Sequence, residues 1–202
     1  MSELPNIAFL DFEASSLGKK GYPIEVAWVF ADGREESWLI KPAPFWLDWN
    51  ADAQAIHGIS RDQLMSEGTS VDEVAQRMMS VLTGCALYAT APSWDGKWLS
   101  RLLRGAGVPR HALRLQDTEI VQKRTIREAL QDAGVPTDLC RKIVLDILAQ
   151  AGRKDDELGP PEHRALADAR REQRLWLDIR RRAQETARRF LSEGKDALEL
   201  TD

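Results

Sequence analysis

The chain is poor in the features that would take it out of the class of ordinary globular proteins. Its only cysteines, Cys85 and Cys140, sit in apolar segments without metal-ligand spacing. They exclude a disulfide framework or a cysteine metal site and read as reduced packing residues. No apolar run approaches the ~20 residues that cross a bilayer, and Met1-Ser2-Glu3-Leu4-Pro5 has neither the basic nor the apolar region of a signal peptide. A cytoplasmic protein with no membrane partner is expected. No internal repeat is visible, which excludes a solenoid. A surplus of positive charge is missing too. The formal net charge of -4 speaks against a nucleic acid held by diffuse electrostatics alone, although two bound divalent cations would cancel it.

What is present begins with Asn6-Ile7-Ala8-Phe9-Leu10-Asp11-Phe12-Glu13-Ala14-Ser15-Ser16-Leu17-Gly18. Side chains alternate faces along a strand, so Asp11 and Glu13 share a side with Ile7 and Phe9 while Ala8, Leu10 and Phe12 share the other. Two like charges then stand roughly 6–7 Å apart along an otherwise apolar strand. That pairing is costly at the edge of a core unless a cation lies between the acids. A bare Asp-x-Glu also suits a strand that simply meets solvent, so the rest of the chain must decide.

Tyr22 to Ala31 reads as a second strand, Asp32-Gly33 as a turn and Glu36 to Ile40 as a third strand in an antiparallel meander. A loop with Pro42, Pro44, Trp46 and Trp49 leads to a short helix from Ala51 that stops at His57-Gly58. Ser70-Val71-Asp72-Glu73 has the form of a capping box ahead of Val74, Ala75, Met78, Met79 and Leu82 at helical spacing. Cys85 to Ala91 is the next strand. Pro92-Ser93-Trp94-Asp95 enters a helix carrying Trp98, Leu99, Leu102 and Leu103. A short strand ending at Asp117 precedes helices near 118–133 and 138–151, a charged link from Gly152 to Gly159, and a long helix after Pro160-Pro161. Strands first and helices interleaved later predict an α/β fold, a mixed sheet flanked by helices.

Asp11 and Glu13, Asp95 after a middle strand, and the late pair His163 and Asp168 form an ordered set. It resembles the DEDDh branch of the RNase H-like 3′–5′ exonucleases, the group of RNase T, oligoribonuclease and the proofreading subunit of bacterial DNA polymerase III. The resemblance covers about residues 6 to 180. It extends to Ile56-His57-Gly58-Ile59, similar to that group's His-Gly-Ile segment, and to Pro23-Ile24-Glu25-Val26-Ala27, similar to its second-strand motif. It departs at Ala89-Thr90-Ala91-Pro92-Ser93-Trp94, where the group more often has Asn on the approach to the middle Asp.

The resemblance implies an RNase H-like sheet of about five strands, with an exonuclease domain over residues 1–185 and a C-terminal helical extension or tail over 186–202. It implies an enzyme that hydrolyses phosphodiester bonds from the 3′ ends of single-stranded RNA or DNA and releases 5′-mononucleotides. The expected cofactors are two Mg²⁺ or Mn²⁺ ions, which prefer carboxylate oxygens. Asp11 would bridge them, Glu13 and Asp168 would hold the one carrying the attacking water, and Asp95 would help position the second. His163, expected in the loop before the last helix, would be the general base, since imidazole titrates nearest neutral pH. Self-association into a homodimer is a further expectation.

Phe12, Ala14, Ser15, Ser16 and Leu17 would line the cleft for the terminal nucleotide, with Leu17 as a wedge. His57 would contact the same nucleotide or simply end its helix. Trp46, Trp49 and Trp94 are candidate stacking surfaces, whereas Trp28, Trp38, Trp98 and Trp176 are assigned to the core. Arg180-Arg181-Arg182, with Arg188 and Arg189, reads first as a solvated helix face and second as a guide for nucleic acid. The rival from another class is a catalytically silent module that binds nucleic acid or protein, in which one of the acids would be expected to be lost. An aspartyl phosphatase is disfavoured because the second acid is Glu and no matching downstream Lys or Thr motif follows.

Overall fold

The computed structural model describes residues 5–199, with side chains through residue 192. Strands β1 (Ile7–Ala14), β2 (Pro23–Phe30), β3 (Glu35–Leu39), β4 (Ala86–Ala89) and β5 (Leu115–Asp117) form one mixed sheet in the order β3-β2-β1-β4-β5. The β1–β2 and β2–β3 pairs are antiparallel, and β4 and β5 run parallel to β1. The described helices are α1 (Ala51–His57), α2 (Arg61–Glu67), α3 (Val71–Leu82), α4 (Pro92–Gly105), α5 (Thr118–Asp132), α6 (Thr137–Asp156) and α7 (Ala165–Glu199).

The chain divides into two compact units. One comprises Met1–Thr118 with Pro161–Gln173 and holds the sheet, α1 to α4 and the first turns of α7. The other comprises Glu119–Pro160 with Arg174–Asp202 and is helical. Helix α7 continues through residue 186 without a break.

In the first unit the alternation of β1 has the expected result. Ala8, Leu10 and Phe12 join Ile24, Val26 and Trp28 of β2 against Val74, Met78 and Leu82 of α3 and Leu99, Leu102 and Leu103 of α4. All eight residues of β2 are buried, so both faces of the sheet are covered there. The far face receives the start of α7, where Arg164 and Ala165 bond to Glu25, and the Gln173 side chain donates to the Ala31 carbonyl at 3.5 Å. In the second unit Ile126 and Leu130 of α5, Val144, Ile147 and Ala151 of α6, and Ile179, Ala183 and Ala187 of α7 form a separate core.

Three expectations need correction. Helix α2 was not foreseen, although Ser60 caps it by accepting the Gln63 N–H at 3.1 Å and Ser60-Arg61-Asp62-Gln63 carries that signature. The link expected from Gly152 is instead the last turn of α6. One glycine costs a helix interior about 1 kcal/mol, and Val144, Ile147 and Ala151, buried just before it, offset that. Trp46 is no stacking surface for a ligand: it is 1% exposed and stacked on Tyr22 with ring centroids 5.3 Å apart. Trp28, Trp98 and Trp176 are buried, while Trp38 is half-buried with its indole N–H on Glu36. Arg181 and Arg182 both pair with Asp178, and Arg180 lies over the Trp176 ring at 5.7 Å. Those three arginines therefore behave as a helix face engaged within its own unit.

The turn after β1 depends on one close approach. The Ser15 N–H donates to the Tyr22 carbonyl at 2.9 Å, the Tyr22 N–H returns to Ser15 Oγ at 3.1 Å, and Gly21 lies against Ser16. A Cβ at Gly21 would overlap the Ser16 carbonyl oxygen and stand 2.8 Å from Ser16 Oγ. Gly21→Ala is therefore expected to destabilise the fold by about 1–3 kcal/mol, read as a lowered midpoint in urea unfolding. An unchanged midpoint would show that the turn has another conformation available.

Candidate active site

Strand β4 pairs with β1 only along Ile7, Ala8 and Phe9, so β1 runs on past its parallel neighbour. The register against β2 breaks between Glu13 and Ala14, and a bulge of this kind re-aims side chains at a strand end. Beyond β4 the chain turns into α4, whose first residue is Pro92 and whose N-cap, Ala91, has no capping side chain. Asp95, 5% exposed in the first turn, accepts the Ala91 N–H, one of the donors a helix start leaves over, and also the Phe12 N–H of β1. These bonds hold its carboxylate beside the end of β1. Asp95 is therefore inside the helix rather than its cap.

Glu13 and Asp168 meet here with His163, while Asp11 and Asp95 act on them electrostatically without joining that close group. Burial, then Asp95, Glu13, Asp168 and Glu172, push the Asp11 carboxyl well above the usual carboxylate range. Burial, Asp168, Glu25 and Asp95 push Glu13 up to about 7, with Arg164 partly opposing them. Burial raises Asp95 to about 7 despite the N–H bonds it accepts. Ligand atoms of Glu13, His163 and Asp168 lie within 4.8 Å of one another. His163 is exposed, in the loop before α7 with φ 53°, a left-handed conformation that His tolerates better than most residues. Asp168 Oδ1 accepts the Glu162 N–H at 3.1 Å. The acid on the helix thereby pins the loop that presents the imidazole.

Glu25 and Arg164 received no role from sequence reasoning. Glu25 stands directly opposite Glu13 in the β1–β2 register, where like charges repel. It is 2% exposed, takes Arg164 at 2.8 and 3.1 Å and accepts the Ala165 N–H at 3.0 Å. This latch ties the start of α7 to β2 and so brings His163 and Asp168 to Glu13. A charged residue inside the apolar run Ile24-Glu25-Val26, and an arginine beside His163, were the available signals.

The surrounding residues divide. The Phe12 ring is in the core, leaving its N–H as its part of the site. Ser15 is buried and Ser16 donates to Asp48. Ala14 is half-buried, while Leu17 and Trp94 are 67% and 42% exposed. His57 ends α1 with Nδ1 accepting the Ile59 N–H at 3.1 Å, which assigns its proton to Nε2, and Nε2 is buried without a partner. An unsatisfied buried donor costs about 1–3 kcal/mol, an expense unexplained by folding alone. Burial holds the His57 pKa below its ordinary value, and Glu25, Arg164 and His163 are its electrostatic neighbours.

The donor set fits a hard divalent cation. Glu13 and Asp168 bring carboxylate oxygens together beside the His163 imidazole, and Arg164, the cation that acts on Glu13, is already committed to Glu25.

The mixed sheet and its flanking helices define an α/β fold, consistent with an RNase H-like architecture. Solved structures of exonuclease I share it. A zinc-bound complex of the E. coli enzyme with single-stranded DNA matches with a TM-score of 0.62 at 17% identity, over 95% of this chain and 43% of that one. A complex of exonuclease I with SSB-Ct matches with a TM-score of 0.51 at 18% identity, over 64% and 31%. A product-bound exonuclease I matches with a TM-score of 0.50 at 17% identity, over 64% and 33%. The chain thus spans less than half the length of these structures. No protein-family model matches the sequence, and no curated protein is significantly similar to it.

The raised carboxyls make a stability prediction. A folded pKa above the unfolded one means that the folded state binds more protons between the two values, so stability falls as pH rises through that window. Without divalent cations, Tm is expected to drop between about pH 4 and pH 8, with Glu13 and Asp95, at about 7, contributing up to its top. Mg²⁺ should raise Tm more at pH 8 than at pH 5. A Mg²⁺ effect equal at both pH values, measured by calorimetry, would contradict a cation seated among these acids.

Proposed function

We propose that the chain is a metal-dependent 3′–5′ exonuclease that removes 5′-mononucleotides from single-stranded RNA or DNA. The observation that supports this reading is the meeting of Glu13, His163 and Asp168, from β1 and from the start of α7, with the Asp11 and Asp95 charges acting on the same carboxylates. The fold shared with exonuclease I, solved with single-stranded DNA, supports it. On this reading Asp11, Glu13, Asp95 and Asp168 hold two Mg²⁺ or Mn²⁺ ions. When bound, such ions polarise the phosphoryl group, activate water and stabilise the leaving oxygen.

The chain's own residues do the rest. His163, exposed and mounted on a loop that Asp168 pins, takes the proton of the attacking water and passes it to solvent. Glu25 and Arg164 position that loop without touching substrate. His57, an electrostatic neighbour of His163, is the further contact of this reading with the terminal nucleotide. Leu17 and Trp94 offer the apolar surface on which bases stack, and the backbone of Phe12, Ala14, Ser15 and Ser16 lines the cleft between them. Of the alternatives, a silent binding module has less support, since every acid of the cluster is retained.

Wild-type protein with 5′-labelled RNA and DNA oligomers should give a descending ladder of products in Mg²⁺ or Mn²⁺, none in EDTA, and none with Asp11→Ala. His163→Ala should keep the Mg²⁺-dependent rise in Tm while turnover falls about 10²–10⁴-fold. Undiminished turnover in His163→Ala would remove it from the mechanism. An Asp11→Ala ladder equal to wild type would remove the function altogether.

A further inference from the structure

Some cations of the first unit are held by carboxylates and others are not. Arg34, Arg77, Arg164 and Arg170 are each held by a carboxylate, respectively Asp32, Glu36, Glu25 and Glu35. The cations on α4 are not. Lys97 donates to the carbonyls of Leu17 and Gly18 at 3.5 and 2.8 Å, Arg101 to that of Lys19 at 3.4 Å, and Arg104 to that of Ser100 at 3.2 Å. None has a salt-bridge partner among the described residues. The one acid felt by Lys97 and Arg101, Asp48, already accepts the Ser16 hydroxyl.

Helical spacing sets Trp94, Lys97, Arg101 and Arg104 in one stripe, at successive steps of three or four residues. The stripe spans about 15 Å at 1.5 Å per residue. It starts one residue from Asp95 and runs beside the turn that carries Leu17 and the exposed Lys19 and Lys20. At its head Trp94 is 42% exposed and stacked on Trp98, with centroids 6.2 Å apart and Lys97 Nζ 4.9 Å from the Trp94 ring centroid. Lys97 also lies over Trp98 at 4.0 Å and Arg101 over Trp46 at 5.7 Å, so these cations rest on carbonyls and rings without an ion pair, and a flat apolar face followed by such cations matches a strand with a base to stack and phosphates to neutralise.

We propose that this stripe is the track for the part of a single strand lying 5′ of the nucleotide being cut, with a base stacked on Trp94 and phosphates on Lys97, Arg101 and Arg104. The assignment rests on the exonuclease reading and adds to it where the uncut strand runs. It also explains how a chain of net charge -4 would hold a polyanion, by a local stripe and not by its total charge.

The test uses full-length protein. Binding of 5′-fluorescein-labelled ten-nucleotide dT and rU oligomers is followed by anisotropy in Mg²⁺ between 50 and 200 mM NaCl on an Asp11→Asn background that prevents cutting. The triple variant Lys97→Ala, Arg101→Ala, Arg104→Ala should weaken binding by about 10- to 100-fold and flatten the log–log salt slope by about 2. Because Lys97 also braces the turn, Arg104→Glu alone is the second variant. It should weaken binding several-fold with Tm unchanged. With Asp11 intact, hydrolysis of thymidine 5′-(p-nitrophenyl phosphate), too short to reach the stripe, should be the same in Arg104→Glu and wild type. Unaltered oligomer affinity and salt slope in both variants, with that ester still cut, would overturn the track and leave the nuclease standing. An ester and oligomers untouched by the wild-type protein would overturn the reading beneath it.

Discussion

Negative charge crowded at one end of the central strand is the constraint that organises the first unit. Asp11 and Glu13 cannot leave β1, Asp95 is tied to the same strand through the Phe12 N–H, and Asp168 arrives from α7. Each raises the cost of ionising the others, so two of them are held near neutral pH. A fold optimised only for stability would replace or pair such groups. Their retention is intelligible if the repulsion is relieved by a bound cation, and the geometry is then that of a site waiting for positive charge.

The latch between Glu25 and Arg164 lets distant segments meet there. It converts what would be a second repulsive pair, Glu25 facing Glu13, into an attachment for the start of α7. From that attachment follow the His163 loop, the reach of Asp168 back to the Glu162 N–H, and the nearness of His163 to Glu13. A buried carboxylate is tolerable when its hydrogen bonds are filled, here by the half-exposed Arg164 and the Ala165 N–H. Glu25, with both oxygens engaged, meets that condition.

Fold likeness and chemistry support each other here without being the same. At 17% identity the likeness to exonuclease I speaks for the architecture, while the function is argued from the site. The first unit is asymmetric in charge, with acids at the end of β1 and cations without ion pairs along α4.

The periodicities legible along the chain determined the strands, the capped helix α3 and the face of β1 on which the acids sit, because those depend on neighbours two to four residues apart. The acids and His163 were recognisable by order, since their residue types suit the chemistry wherever the chain carries them. Tertiary structure alone decided what depends on long-range contact. Trp46 is core because its loop folds back on Tyr22, Phe12 contributes an N–H and not its ring, and Glu25 needs Arg164, far along the chain, to be tolerable. The stripe on α4 likewise became visible only when the ion pairs of Arg34, Arg77, Arg164 and Arg170 were known, since a sequence displays charges but not which of them are already neutralised.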